Sequence, residues 1–220
     1  VKAVLFDIGM TFIHPSGQVM SEELAAVGAP GVGAKTAEAA LATAAEAHHL
    51  DFPQGLSRPE KVGAVWGQLL GVGAETGRRA WRRCTDRTDL YRDLDPDAVP
   101  VLREICGRGL AVAAVSNSDG TLTEELARFG LLDFFTVVVD STITGVEKPE
   151  PGIFASALGQ LGCAPADALF VGDGLINDIF GALRAGITST VLYDRHQVYR
   201  ELPVPVITAL PQLLDHLPAA

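Results

Sequence analysis

Five short apolar runs recur along the chain, and each ends in polar residues able to do chemistry: KAVLFD (2–7), LAVAAVSN (110–117), FFTVVVDS (134–141), ALFVGD (168–173) and ITSTVLYD (187–194). Runs of that length, apolar throughout and rich in β-branched or aromatic residues, read as buried strands rather than helices. Between them the spacing predicts helices over 97–107, 120–129, 151–162 and 177–185, several closing near a glycine such as Gly107, Gly130, Gly162 or Gly186. Strand and helix therefore alternate. That pattern predicts an α/β fold, a doubly wound parallel sheet with helices on both faces, whose ligands sit at the carboxyl ends of the strands.

Residues 18–92 break the rhythm. They are rich in Ala, Glu and Arg, keep a helical period and contain no comparable β-branched run, so they read as a helical insertion with turns at 28–34 and 53–59. A length of 220 residues suits one domain plus such an insertion, and 48% hydrophobic against 20% charged residues is the balance of a globular chain. The net charge of -10 leaves no basic footprint for nucleic acid, so an acidic ligand would have to be held by local cations, backbone N–H groups or a metal ion. Cys84, Cys106 and Cys163 are too few and too scattered for a disulfide framework or a metal knuckle. With no leader-like start and no apolar run of about 18 residues, the expectation is a cytoplasmic protein without membrane contact, monomeric or homodimeric.

In such a sheet the strand ends converge, so Asp7, Ser116 with Asn117, and Asp173 are expected at one crevice, with Asn177 and Asp178 just after Asp173 and Lys148 in VEKPEPGIF. Each residue alone has a plainer reading: Asp7 a helix cap, Ser116 and Asn117 a turn, Lys148 a solvated charge, GDGLIND a turn and N-cap. Together they suit phosphoryl transfer. Asp7 would attack phosphorus, splitting one displacement into two. Mg²⁺ takes carboxylate, carbonyl and water oxygens, which Asp7, Asp173 and the main-chain carbonyl near Gly9 can supply. Ser116 would bind phosphoryl oxygens, and Lys148 would act as a fixed cation in the transition state.

FDIGMT, VSNS, EKPEPGIF and VGDGLINDIFGA resemble, in order, the four motifs of the haloacid dehalogenase-like hydrolases, a resemblance that runs from residue 1 to about 194 outside the insertion. It implies Asp7 as nucleophile, Ser116 as phosphate binder, Lys148 as the cation, Asp173 as a magnesium ligand and Asp178 as a second carboxylate supporting the metal or Lys148. Thr11 and Asn117 fall on the substrate side, Asn177 behind them, and Gly9 would ligate through its carbonyl. The implied organisation is a catalytic core of 1–13 and 95–220 with a substrate-selecting helical cap at 14–94. The implied activity is magnesium-dependent hydrolysis of small phosphorylated metabolites through an aspartyl-phosphate.

Gly9 departs from the pattern. Phosphatases of this family usually carry there a second Asp, a general acid and base, and such help is worth about 10² to 10⁴ in rate. Three explanations remain open. One is a phosphatase for leaving groups that depart easily, such as sugar 1-phosphates or acyl phosphates, with His14 a conceivable substitute. Another is a 2-haloacid dehalogenase, which Asp173 in a metal-ligand motif and the missing serine-rich fourth motif disfavour. The last is a weak member that binds a phospho-ligand or partner, which retention of Asp7, Lys148 and Asp173 disfavours. A phosphonate hydrolase would need a cap lysine, and Lys35 and Lys61 read as solvated. Within the insertion, adjacent His48 and His49 point apart on a helix, Trp66 and Trp81 read as packing, and Arg78, Arg79, Arg82, Arg83 and Arg87 form either a solvated face or an anion- or partner-binding surface.

Overall fold

The computed structural model describes residues 1–51 and 54–218. Strand β1 (Ala3–Phe6) is followed by β2 (Ile13–Pro15) and the helices α1 (Gly17–Ala26), α2 (Ala34–Ala44), α3 (Arg58–Leu69) and α4 (Ala74–Thr85). Then come β3 (Tyr91–Leu94), α5 (Ala98–Gly107), β4 (Ala111–Ser116), α6 (Leu122–Arg128), β5 (Val137–Asp140) and the single turn α7 (Ser141–Thr144). The chain continues through α8 (Pro151–Leu161), β6 (Ala168–Gly172), α9 (Gly181–Arg184), β7 (Ser189–Tyr193) and β8 (Val206–Ile207). It divides into two compact units, Val1–Phe12 with Leu94–Ala220, and Ile13–Asp93.

The first unit holds a six-stranded sheet in the order β5-β4-β1-β6-β7-β8, and its strand pairs are parallel. The five apolar runs are the first five of these strands in space. From β1 the chain builds outward through β4 and β5, returns to the other side of β1 as β6, and continues to β7. That reversal opens a crevice beside β1 at the carboxyl ends, where ligands bind in doubly wound sheets. Strand alternation sorts the side chains: Leu5 joins Phe170, Val115, Ile153 and Phe154 in the core under α8, with the Phe154 and Phe170 rings 5.0 Å apart and edge-on. Phe6 meets the Phe12 ring at 4.9 Å. Two short features lay outside the sequence expectation, β8 at the sheet edge and the two-stranded β2–β3 ribbon. Strands of two to four residues carry too little pattern to be read.

The second unit is helical. Helices α3 and α4 cross backbone to backbone: a Cβ on Gly77 would lie 2.5 Å from the Gly67 Cα and 2.3 Å from the Gly63 carbonyl oxygen. Glycine here is a requirement of distance, since any side chain would overlap the facing backbone. The Trp66 and Trp81 rings stand 5.8 Å apart, edge-on, and the Trp66 indole N–H donates to the Ala37 carbonyl at 2.9 Å, so both are packing residues. Helix α3 starts at a Ser57/Glu60 capping box. The turn expected over 53–59 is described from residue 54 onward; Phe52 and Pro53 lie outside the described residues.

Candidate active site

The backbone of Asp7 still belongs to the sheet, its N–H donating to the Val171 carbonyl at 2.9 Å, so its side chain emerges at the carboxyl end of β1. The chain then turns sharply: the Ile8 carbonyl accepts from both Thr11 N–H (3.3 Å) and Phe12 N–H (2.9 Å). Met10 sits in this turn at φ 64°, the left-handed region that costs an L-residue about 1–2 kcal/mol. Strain of that kind concentrates at functional sites. Gly9, half-buried beside it, presents no side chain to the crevice.

Three acids meet there. Ligand oxygens of Asp7, Asp173 and Asp178 all lie within 4.8 Å of one another. Lys148, 4% exposed, bridges two of them, with its ammonium 2.5 Å from Asp7 Oδ1 and 2.7 Å from Asp178 Oδ1. The Ser116 hydroxyl donates to the same Asp7 oxygen at 3.1 Å, and Thr11 Oγ1 lies 3.5 Å from Asp173 Oδ1. Asn117 braces the lysine. Its side chain accepts from the Lys148 N–H (2.7 Å) and donates to the Lys148 carbonyl (3.0 Å), fixing the backbone from which the lysine reaches into the site.

Asp178 is positioned by glycines that sequence reasoning missed. A Cβ on Gly172 would fall 2.4 Å from the Asp178 Cγ, and the Gly174 N–H donates to Asp178 Oδ2 at 2.8 Å. The turn that carries Asp178, Leu175–Phe180, is π-helical, with the Ile179 N–H reaching back five residues to the Gly174 carbonyl at 3.1 Å. Single π turns often mark functional sites. The paired glycines of GDG were the available signal. Asn177 lies in this same turn.

Burial pulls the Lys148 ammonium toward its neutral form, but the charges of Asp178 and Asp7 outweigh that and hold its pKa above the ordinary lysine value. Burial also pushes the Asp178 carboxyl up to about 7, with Lys148 pulling it down and Asp7 adding to the rise. Lys148 bridges two of the three acids, and all three bring ligand oxygens to one point. Three carboxylates offering hard oxygen donors at one point suit a divalent cation such as Mg²⁺.

Comparisons with known proteins give the family. The family model described as haloacid dehalogenase-like hydrolase matches residues 1–186. The chain belongs to the haloacid dehalogenase-like hydrolases. It is 31% identical over 198 residues to the glyceraldehyde 3-phosphate phosphatase of Methanopyrus kandleri, across 86% of this chain and 82% of that one. With the phosphoserine phosphatase of Thermus thermophilus it shares 40% over 103 residues, 46% of this chain and only 41% of that protein's length. Among solved structures, the HAD phosphatase from Thermococcus onnurineus superposes with a TM-score of 0.60 at 24% identity over 98% of this chain and 97% of that one, a likeness of fold. The relatives of named activity support a hydrolase of phosphatase type.

Of the remaining sequence candidates, His14 is buried. His48 holds the Ala45 carbonyl at 2.9 Å through Nδ1, and among the described residues the group able to hold a metal is the aspartate triad. Arginines of the 78–87 cluster pair with acids: Arg78 with Glu75, Arg82 with Glu60 (3.2 Å), Arg83 with Glu23 (2.5 Å), and Arg87 with Glu22, Glu23 and Asp89. Among the described residues no helix is long and apolar enough to cross a membrane.

Proposed function

We propose that this hydrolase is a magnesium-dependent phosphatase of small phosphorylated metabolites that works through an aspartyl-phosphate at Asp7. The observation that carries the reading is the Lys148 ammonium held between Asp7 and Asp178 beside Asp173, with the Ser116 hydroxyl on the same Asp7 oxygen. Asp7 and Asp173, with Asp178 and the Gly9 carbonyl in support, would hold Mg²⁺, which when bound draws the anionic substrate to an anionic carboxylate and offsets charge on its phosphoryl oxygens.

The chain's own residues do the rest. Ser116 and Lys148 fix the orientation of the Asp7 carboxylate so that an oxygen faces phosphorus, and Thr11 steadies Asp173. Attack forms the Asp7–phosphorus bond as the bond from phosphorus to the leaving oxygen breaks, that oxygen keeping the electron pair. Lys148 stabilises the charge that spreads over the phosphoryl oxygens. Water then hydrolyses the acyl phosphate, releasing phosphate and restoring Asp7. With glycine at position 9 no side chain there protonates the departing oxygen, so the substrates are phosphates whose leaving group departs easily, acyl or glycosyl phosphates. The helical unit Ile13–Asp93 serves as the substrate-selecting cap, and the enzyme acts in the cytoplasm.

Phosphate release from acetyl phosphate and from an alkyl phosphate, with and without Mg²⁺, tests the reading. The parent is expected to turn over acetyl phosphate only with the metal, and Gly9→Asp to raise alkyl phosphate turnover by about 10²-fold. No phosphate release from either substrate, or halide release from a haloacid without metal, contradicts it.

A further inference from the structure

Ser116 is placed by the sheet itself, as the last residue of β4, whereas Lys148 belongs to neither a helix nor a strand and lies in the segment between α7 and α8. Its ammonium nonetheless meets both Asp7 and Asp178. A flexible four-carbon side chain on an irregular segment is a poorly aimed cation unless its backbone is fixed. Asn117 supplies one clamp, at Lys148 itself. The other end of the segment begins at Asp140, the last residue of β5 and the register partner of Ser116.

Asp140 is buried and bonds on two sides. Its Oδ2 accepts from Gly120 N–H (3.1 Å) and Leu122 N–H (3.3 Å) at the start of α6, and its Oδ1 accepts from Thr142 N–H (2.9 Å) in α7. The first pair belongs to the loop that follows Ser116 and Asn117, the last to the stretch that leads to Lys148. Hydroxyls join the same two stretches: Ser141 Oγ and Thr142 Oγ1 donate to the Ser118 carbonyl at 3.2 and 2.6 Å, and Ser118 N–H donates to Ser141 Oγ at 3.1 Å. A helix cap needs one acceptor oxygen, which Ser or Asn supplies about as well as Asp. Asp140 uses both of its oxygens, one toward each stretch, and burying a carboxylate is costly where a neutral cap would serve.

We infer that Asp140 is a positioning residue for phosphoryl transfer, locking the loop after β4 to the stretch after β5 so that the Lys148 ammonium is held against Asp7. This rests on the phosphatase reading. Asp140 touches no reacting atom; it acts through Asn117 and the Lys148 backbone. An error of about 1 Å in the placement of such a cation costs on the order of 10²-fold in rate. Asparagine at position 140 keeps one acceptor oxygen and turns an NH₂ toward the N–H groups on the other side, so it can cap one stretch and cannot join both.

The test measures kcat and KM for acetyl phosphate with Mg²⁺ in the parent, Asp140→Asn and Thr142→Val, at a temperature well below the melting point of each. Asp140→Asn is expected to lower kcat by about tenfold or more with KM within about twofold, the split of a group that acts in the transition state. Thr142 is exposed, so Thr142→Val removes its bond to the Ser118 carbonyl without opening the core, and kcat is expected to fall about threefold, again with KM unchanged. Should Asp140→Asn fail to fold, Thr142→Val decides alone. A folded Asp140→Asn with a lower melting point and parental kcat makes Asp140 a plain helix cap and overturns the inference, as does parental kcat in Thr142→Val or a change confined to KM. A parent inert toward acetyl phosphate overturns the phosphatase reading and the positioning role with it.

Discussion

The two units treat charge in opposite ways. At the strand ends of the α/β unit, Lys148, Asp7 and Asp178 are all nearly inaccessible, 4%, 6% and 1% exposed, and depend on one another for compensation. In the helical unit, the buried Glu23 is reached from solvent by Arg83 and Arg87, while Arg82 keeps most of its side chain in solvent and meets Glu60 at the surface. Exposed pairs of that kind contribute about 0–1 kcal/mol, whereas removing one partner of a buried set costs several. The buried cluster is therefore a poor way to stabilise a fold and a good way to hold reactive groups still. The arginine face is a set of ion pairs within the helical unit.

That contrast breaks most readily at Lys148. Lys148→Met should abolish phosphatase activity, by at least about 10³-fold, and cost roughly 3 kcal/mol by leaving Asp7 and Asp178 facing each other. Phosphate release and urea unfolding read the two effects. The glycines come next. Gly77→Ala drives a methyl group into the α3–α4 crossing and is expected to cost about 1–3 kcal/mol while the chemistry at Asp7 persists; Gly172→Ala displaces the Asp178 carboxylate and should lower kcat disproportionately to its thermal destabilisation.

A pH experiment sharpens the comparison further. With its folded pKa at about 7, above the ordinary carboxyl value near 3.9, Asp178 keeps a proton in the folded chain that the unfolded chain has already released. Between about pH 4 and 7 the folded state thus binds more protons, and stability falls as pH rises. Melting temperatures of the chelator-treated protein should decline across that window, and Mg²⁺ should flatten the decline by favouring the carboxylate. The smallest effect is expected at Arg82→Ala, within about 0.5 kcal/mol by thermal melting, because its partner Glu60 is held by Ser57 as well.

What was legible in the sequence follows the same division. The strands β1, β4, β5, β6 and β7 were readable because a buried parallel sheet writes its burial locally, as unbroken apolar runs, and the acids at their ends then had to converge. Lys148 and Asp178 were recoverable because their motifs are local too. Asn117 clamping Lys148, Gly172 making room for Asp178 and the left-handed Met10 were not, since each depends on a neighbour brought in by the fold or on a backbone angle that no side chain announces. The arginine pairs illustrate the same limit: Arg83 meets Glu23 and Arg87 meets Glu22 across sixty or more residues, so composition showed the charges and not their partners.

The central claim is that Asp7 becomes phosphorylated during turnover. Quenching the enzyme with borohydride while it hydrolyses acetyl phosphate in Mg²⁺ reduces an aspartyl-phosphate to homoserine, which peptide mass spectrometry locates. The account predicts homoserine at position 7, absent without substrate and absent in Asp7→Asn. An unmodified Asp7 in enzyme caught during active turnover would contradict it.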